Sequence, residues 1–247
     1  DITCLVGKNE SGKSSFLNAL YRLNPIRINA QFKIEDQYPA WSEKKDRMKG
    51  VNLEDERPVS TLFELEENEI ELINETFGEG VLKSNTLTLN KSYKGTLYHW
   101  LNLDKSQYLK NLIQGLSFSK ETRAEITKCS KVSELRSFLE NYESDEETTE
   151  KETESIDSLK ERFEEQIGNS ATLISACYSL IQKSIPKFIY FDKYSTLPYT
   201  VKIKEVLEAD DSTLDDNMLT AKSLLRMAAA DDDYLLNPDY ERRKREL

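Results

Sequence analysis

Gly7-Lys8-Asn9-Glu10-Ser11-Gly12-Lys13-Ser14 follows the apolar run Ile2-Thr3-Cys4-Leu5-Val6 and leads into a helix-patterned run, Ser15 to Leu23. The spacing GxxxxGK[ST], set between a strand and a helix, is that of a loop that cradles phosphates. Gly7 and Gly12 stand where such a loop must turn tightly and come close to an anion. A helix starting near Lys13 adds unsatisfied N–H donors and a partial positive charge. The residues expected to hold a nucleoside triphosphate are Gly7, Asn9, Glu10, Ser11, Gly12, Lys13, Ser14 and Ser15. Lys13 and the loop amides take the phosphates, Asn9 to Ser11 shape the loop, and the Ser14 hydroxyl is the expected Mg²⁺ ligand. Binding phosphate and hydrolysing it are separate properties, and no catalytic residue is assigned.

Composition narrows the remaining classes. The chain has 247 residues, 38% hydrophobic and 32% charged, so its core must be concentrated in part of its length. Within 140–157, nine acids face Lys151 alone, which accounts for most of the net charge of −11. Acidity in one segment is weak evidence against nucleic-acid contact, and no basic domain advertises it. Cys4, Cys129 and Cys177 are widely spaced, which excludes a disulfide framework or a zinc pattern and fits a reducing cytoplasm. Cys4, within the apolar run, is expected to be a small core residue. One histidine, His99, rules out a His-cluster metal centre. The longest apolar run, 171–181, is too short to span a bilayer, and no signal peptide is evident. The chain opens inside the run that feeds the loop, and 240–247 continues charged and helical past Pro238, so the sequence reads as a fragment.

Periodicity predicts an α/β organisation. The loop helix should end before Pro25, and 26–50 shows no clear pattern. Period-two alternation at 59–65, 81–93 and 96–103, with Gly95 at a turn, predicts a small antiparallel sheet, and 66–76 an acidic helix between its strands. From Asp104 the spacing becomes helical through Leu109, Leu112, Ile113 and Leu116, then Val132, Leu135, Leu139 and Tyr142. The acidic run 140–157 has too few apolar residues to offset its ordering entropy and reads as a solvated linker or the tip of an insertion. Residues 159–181 then predict one long amphipathic helix, the return arm of a pair. A buried strand at 187–192, an edge strand at 200–203 and a helix at 214–229 follow. The expected division is a P-loop core with its antiparallel β subdomain over 1–103, a helical arm insertion over 104–185, and a return to the core over 186–247.

Several nucleotide hydrolases share this loop. A small G domain is the first alternative, but none of the eight glycines follows an Asp by three residues, and Asn90-Lys91-Ser92-Tyr93 lacks the acid that reads guanine. A non-hydrolysing scaffold built on a P-loop fold is the second. Residues 7–25, beginning Gly-Lys-Asn-Glu-Ser-Gly-Lys-Ser-Ser, resemble the opening of the ABC-type ATPase domain of the overcoming lysogenization defect family and of related recombination and repair ATPases. Pro-Lys-Phe-Ile-Tyr-Phe-Asp-Lys-Tyr-Ser-Thr-Leu-Pro at 186–198 and Leu-Leu-Asn-Pro-Asp-Tyr-Glu-Arg-Arg-Lys-Arg-Glu-Leu at 235–247 look like segments of bacterial members. The resemblance implies an ATPase head split by helical arms, with ATP and Mg²⁺ as cofactors and dimerisation of heads on ATP. It also implies an ABC signature, a Walker B strand and, in many members, a DNA-cleaving Toprim nuclease beyond Leu247.

Seven further residues are weighed against that pattern. The family's Q-loop glutamine has candidates in Gln31 and Gln37, neither on a convincing strand, while Gln107 and Gln114 fall on helical patterns; none is assigned. Asp192 ends an apolar run as a Walker B acid does, but Lys193 stands where the catalytic Glu would be, so a structural role is expected. Glu10 and His99 read as ordinary residues.

Overall fold

The computed structural model describes residues 2–26, 30–142, 149–190 and 197–228. In chain order its elements are α1 (Lys13–Leu23), α2 (Ile34–Gln37), α3 (Ala40–Met48), β1 (Val59–Glu64), α4 (Glu67–Phe77), β2 (Leu82–Lys91), β3 (Leu97–Leu103), α5 (Lys105–Leu112), α6 (Lys120–Lys128), α7 (Val132–Glu140), α8 (Glu150–Ile167), α9 (Leu173–Ile181), α10 (Ile203–Glu208) and α11 (Asp216–Ala228). The chain is thus mixed α/β with a small three-stranded antiparallel sheet. It divides into one unit of 1–59, 92–95 and 186–247 and a second of 60–91 and 96–185. The strands therefore group with the helices that follow them rather than with residues 7–14.

In the second unit, alternation builds the sheet in the order β1-β2-β3. Leu87 lies opposite Leu101 and Leu89 opposite His99, and all three leucines are buried. Trp100, pointing the other way, stays 61% exposed, as a strand with one face on a core requires. Thr61 Oγ1 donates to the Leu89 carbonyl and the Leu65 amide to Asn85, so β1 runs on the other edge of β2. Helix α4 opens with a capping box between Glu66 and Glu69 and buries Ile73 and Phe77 against β2. Helix α9 covers β3, with the His99 and Tyr178 rings stacked at 3.9 Å and 6°.

The helices after Asp104 have separate starts. Asp104, Ser119, Thr149 and Thr172 each accept a first-turn amide of α5, α6, α8 and α9. The single helix expected over 159–181 is therefore two. Gly168, with φ 48, ends α8, and Thr172 starts α9. Arg136 clamps the break, its Nη2 donating to the Gly168 carbonyl at 2.5 Å and its Nη1 pairing with Glu164 at 3.0 Å. Residues 150–157 of the expected acidic linker are likewise helical, opening α8, while 143–148 lie outside the described residues. Glu152 is buried because it accepts the Ser119 amide at 3.1 Å, which offsets its desolvation. Arg162 in turn donates to the Leu112 and Gln114 carbonyls at the end of α5. Residues 150–181 are thus two separately capped helices rather than one.

The first unit holds α1, α2, α3, α10 and α11. Sequence left 26–50 without pattern, yet α2 and α3 form there, with Pro39 at the start of α3 and Gly50, φ 76, beyond its end. The strand expected at 187–192 is reduced to a parallel bridge between Pro25 and Phe188. The Phe188 amide donates to the Asn24 carbonyl at 2.8 Å and the Ile26 amide to Phe188 at 3.0 Å. Residues 191–196, Asp192 among them, lie outside the described residues, as do 229–247 with the expected terminal helix. The edge strand expected at 200–203 is absent; Ile203 opens α10, which packs on α11 through Ile203, Leu207 and Leu225. Lys222 is buried on α11, its ammonium bound by the Ala209 carbonyl at 2.5 Å and Asp211 at 2.7 Å. Among the described residues, no helix is long and apolar enough to cross a membrane.

Two outcomes are expected. Gly78 has φ 92, and a Cβ there would lie 2.3 Å from the Asn111 side-chain nitrogen. Gly78→Ala should destabilise the second unit by about 2 kcal/mol or more, read by urea unfolding, with Asn111→Ala restoring only the steric part. Burial holds the His99 imidazole below its usual 6.5. The unfolded chain then binds the proton more readily, so this contribution is present above pH about 6.5 and lost as pH falls through the lower folded value. His99→Phe, which keeps a ring on Tyr178, should remove that component from the pH dependence of melting. An NMR titration midpoint at or above 6.5 for His99 would contradict it.

Candidate phosphate-binding site

Residues 7–12 form an exposed loop that enters α1 at Lys13. The two glycines serve different needs. Gly12, with φ 86, is the residue before the helix, a conformation that favours glycine, and no side chain caps the first turn. At Gly7 the constraint is space, because a Cβ would stand 2.7 Å from Ser11 Oγ. Glu10, φ 63, is the non-glycine with positive φ among the described residues, so the loop holds a left-handed residue that costs about 1 kcal/mol. A bond from the Ser11 amide to the Lys8 carbonyl at 3.3 Å closes the turn, and the Phe16 amide bonds Gly12 at 2.9 Å to start the helix.

Lys13 folds its side chain back over this turn. Its ammonium donates to the Gly7 carbonyl at 2.8 Å and the Lys8 carbonyl at 2.7 Å, with Ser11 Oγ at 3.4 Å. A cation is thus held at the loop beside a helix start that carries no side-chain cap, an arrangement suited to an anion with several oxygens. Ser14 and Ser15 are exposed on the first turn of α1, where a hydroxyl is open to a ligand. Asn9 and Glu10 are exposed at the tip. The structure therefore brings all eight expected residues into one loop and helix start.

Two expectations around the loop fail. Residues 2–6 form no strand, and Ile2 and Val6 are 94% and 95% exposed. A strand exists only with a hydrogen-bonded neighbour, and none of the described residues supplies one. Cys4 is consequently exposed rather than a core residue.

What anchors α1 was not legible in the sequence. Arg22 reaches from the last turn to Asn18 Oδ1 at 2.9 Å and to the Gln31 carbonyl at 3.1 Å, and its guanidinium lies 5.9 Å from the Phe32 ring centre. Phe32 meets Tyr93 edge-on, and Tyr93 packs on Tyr38, whose hydroxyl donates to Asp46 at 3.0 Å. The spacing Asn18-x-x-x-Arg22 hints at the first contact, but a backbone acceptor nine residues away leaves no sequence signal. Gln31 packs its side chain against Gly95, and Gln37 accepts the Lys33 amide at 2.5 Å. Gln107 donates to Asn111. Each of these glutamines thus has a local structural partner. No group of three or more His, Cys, Asp or Glu poised for a metal exists among the described residues.

Comparison of the chain with protein-family models, curated proteins and solved structures gave no match. The loop's own geometry therefore carries the functional reading. Replacing Gly12 by Val, which disfavours φ 86, should shift the amide NMR resonances of residues 8–16 and leave those of the α10–α11 pair in place. Unchanged loop resonances would mean that this conformation is not required.

Proposed function

We propose that this chain is the ATP-binding segment of an ABC-type ATPase like those of the overcoming lysogenization defect family, using ATP with Mg²⁺. The observation that supports it is the Lys13 ammonium held on the Gly7 and Lys8 carbonyls, at the mouth of a helix whose first turn has no side-chain cap. A triphosphate would replace those carbonyls as the ammonium's partner, exchanging neutral acceptors for charged ones. The amides of residues 9–15 would take the remaining phosphate oxygens, with Gly7 and Gly12 permitting the approach. Ser14, exposed on the first helical turn, would ligate Mg²⁺, which supplies the positive charge that neutralises the phosphates.

Adenine is preferred to guanine because D-x-x-G and N-K-x-D are missing from the sequence. Hydrolysis requires groups that this chain does not assign, so binding without efficient turnover is the reading for the segment alone. In the full-length protein, head dimerisation on ATP and coupling to a nuclease acting on DNA, in phage defence or repair, are what the family resemblance implies, while a cytoplasmic location is the reading of the cysteine usage.

Calorimetric titration with ATP and Mg²⁺ tests the central claim. Lys13→Ala should weaken binding about 10-fold or more, the worth of a charge-assisted contact to phosphate. GTP should bind no better than ATP. Equal affinity of parent and variant, or the absence of any nucleotide effect on melting, would replace this reading with that of a scaffold.

A further inference from the structure

Helix α3 turns its large apolar side chains outward. Trp41 and Met48 are 84% and 80% exposed. At about 100° per residue they lie within about 20° of each other around the helix, two turns apart. Lys44 flanks this pair on one side and Lys45 and Lys49 on the other, and all three are exposed. The inward side carries polar groups instead. Ser42 is buried, and Asp46 accepts the Tyr38 hydroxyl at 3.0 Å and a hydrogen bond from Ser42. Apolar residues of a surface helix ordinarily face the core, so an outward Trp and Met framed by lysines mark a contact surface. The helix's own acids are engaged elsewhere. Glu43 pairs with Arg47 at 3.0 Å, and Asp46 feels the charges of Lys45 and Lys49 while its hydrogen bonds go to Tyr38 and Ser42.

We infer that this face docks an acidic amphipathic helix of a partner protein. The partner's apolar stripe covers Trp41 and Met48, and its flanking carboxylates meet Lys44, Lys45 and Lys49. Charges beside an apolar seam select partners between helices in this way. Trp41 supplies a large rigid anchor, and unbranched Met48 adapts to an irregular surface. Charge decides among the occupants. A second copy of α3 would set these lysines against their own counterparts, which repel. A phosphate polymer or an anionic bilayer extends past the roughly 13 Å of α3. It would meet the exposed acids that bracket the helix in the chain, Glu35 and Asp36 before it and Glu54 and Glu56 after it. The net charge of −11 opposes such extended polyanions further. A single helix is short enough to stay on α3. This surface is separate from residues 7–14 and does not depend on the ATP reading.

The probe is the acetylated and amidated peptide AEELAELLEELAELLEEA, titrated calorimetrically into the full chain, with its counterpart carrying Lys for every Glu as the charge control. Saturable binding is expected, with the lysine counterpart at least about 10-fold weaker. Trp41→Ala should weaken the acidic peptide about 10-fold without lowering the melting temperature, since little of that side chain is buried. Lys44→Glu together with Lys45→Glu should weaken the acidic peptide and strengthen its lysine counterpart. No saturable binding up to about 1 mM, or unchanged affinity in Trp41→Ala, would overturn the surface. Equal binding of the two peptides would overturn the acidic assignment. Tighter binding of oligo(dT), or of vesicles of phosphatidylserine and phosphatidylcholine, lost in the same variants, would replace the partner helix with a nucleic acid or a membrane.

Discussion

The hydrogen bonds between residues 24–26 and 186–188 join segments some 160 positions apart, and the organisation of the chain depends on them. Closing a flexible loop of that length costs about 4–5 kcal/mol in chain entropy, more than three hydrogen bonds at about 1 kcal/mol each return. The closure is tenable only if the intervening chain is itself folded. The second unit meets that requirement with its own core, in which Leu87, Leu89, Leu101, Leu135, Leu159 and Phe163 are buried. Its sheet and packed helices make the insertion a structured body rather than a random loop.

The loop at 7–12 precedes that closure in the chain. It holds a left-handed Glu10, which costs free energy, and a helix start without a side-chain cap, with the Lys13 ammonium resting on two neutral carbonyls. The helix start leaves first-turn amides without a side-chain acceptor. The far end of α1 behaves in the opposite way. Arg22 satisfies a backbone carbonyl and covers Phe32, fixing the helix from behind through Tyr93 and Tyr38.

Where local chemistry was sufficient, sequence and structure agree. Alternation at 82–91 and 97–103 gave the strands because every second residue had a core to face. The helix after Gly12 follows from its glycine start and its apolar spacing. Agreement ends where a partner distant in sequence decides. Helical spacing continues across 168–172, but Gly168 and the Thr172 cap interrupt it and Arg136 holds the break. The acids of 150–157 look unable to order themselves, yet they open α8 because Glu152 finds the Ser119 amide. Residues 2–6 show the converse, a strand pattern without a neighbour to complete it.

The sequence by itself determined the loop at 7–14 and the residue types that suit phosphate, because that chemistry is contiguous and its backbone needs are written as glycines. It also determined the antiparallel strands, whose period is local. Only the tertiary structure decided that Lys13 rests on the Gly7 and Lys8 carbonyls, that Arg22 braces its helix, and that Tyr108 keeps a buried hydroxyl without a hydrogen-bond partner. Each of these rests on which groups the fold brings together or leaves without a partner. Burial and pairing are properties of the whole chain, set by contacts that no single stretch encodes.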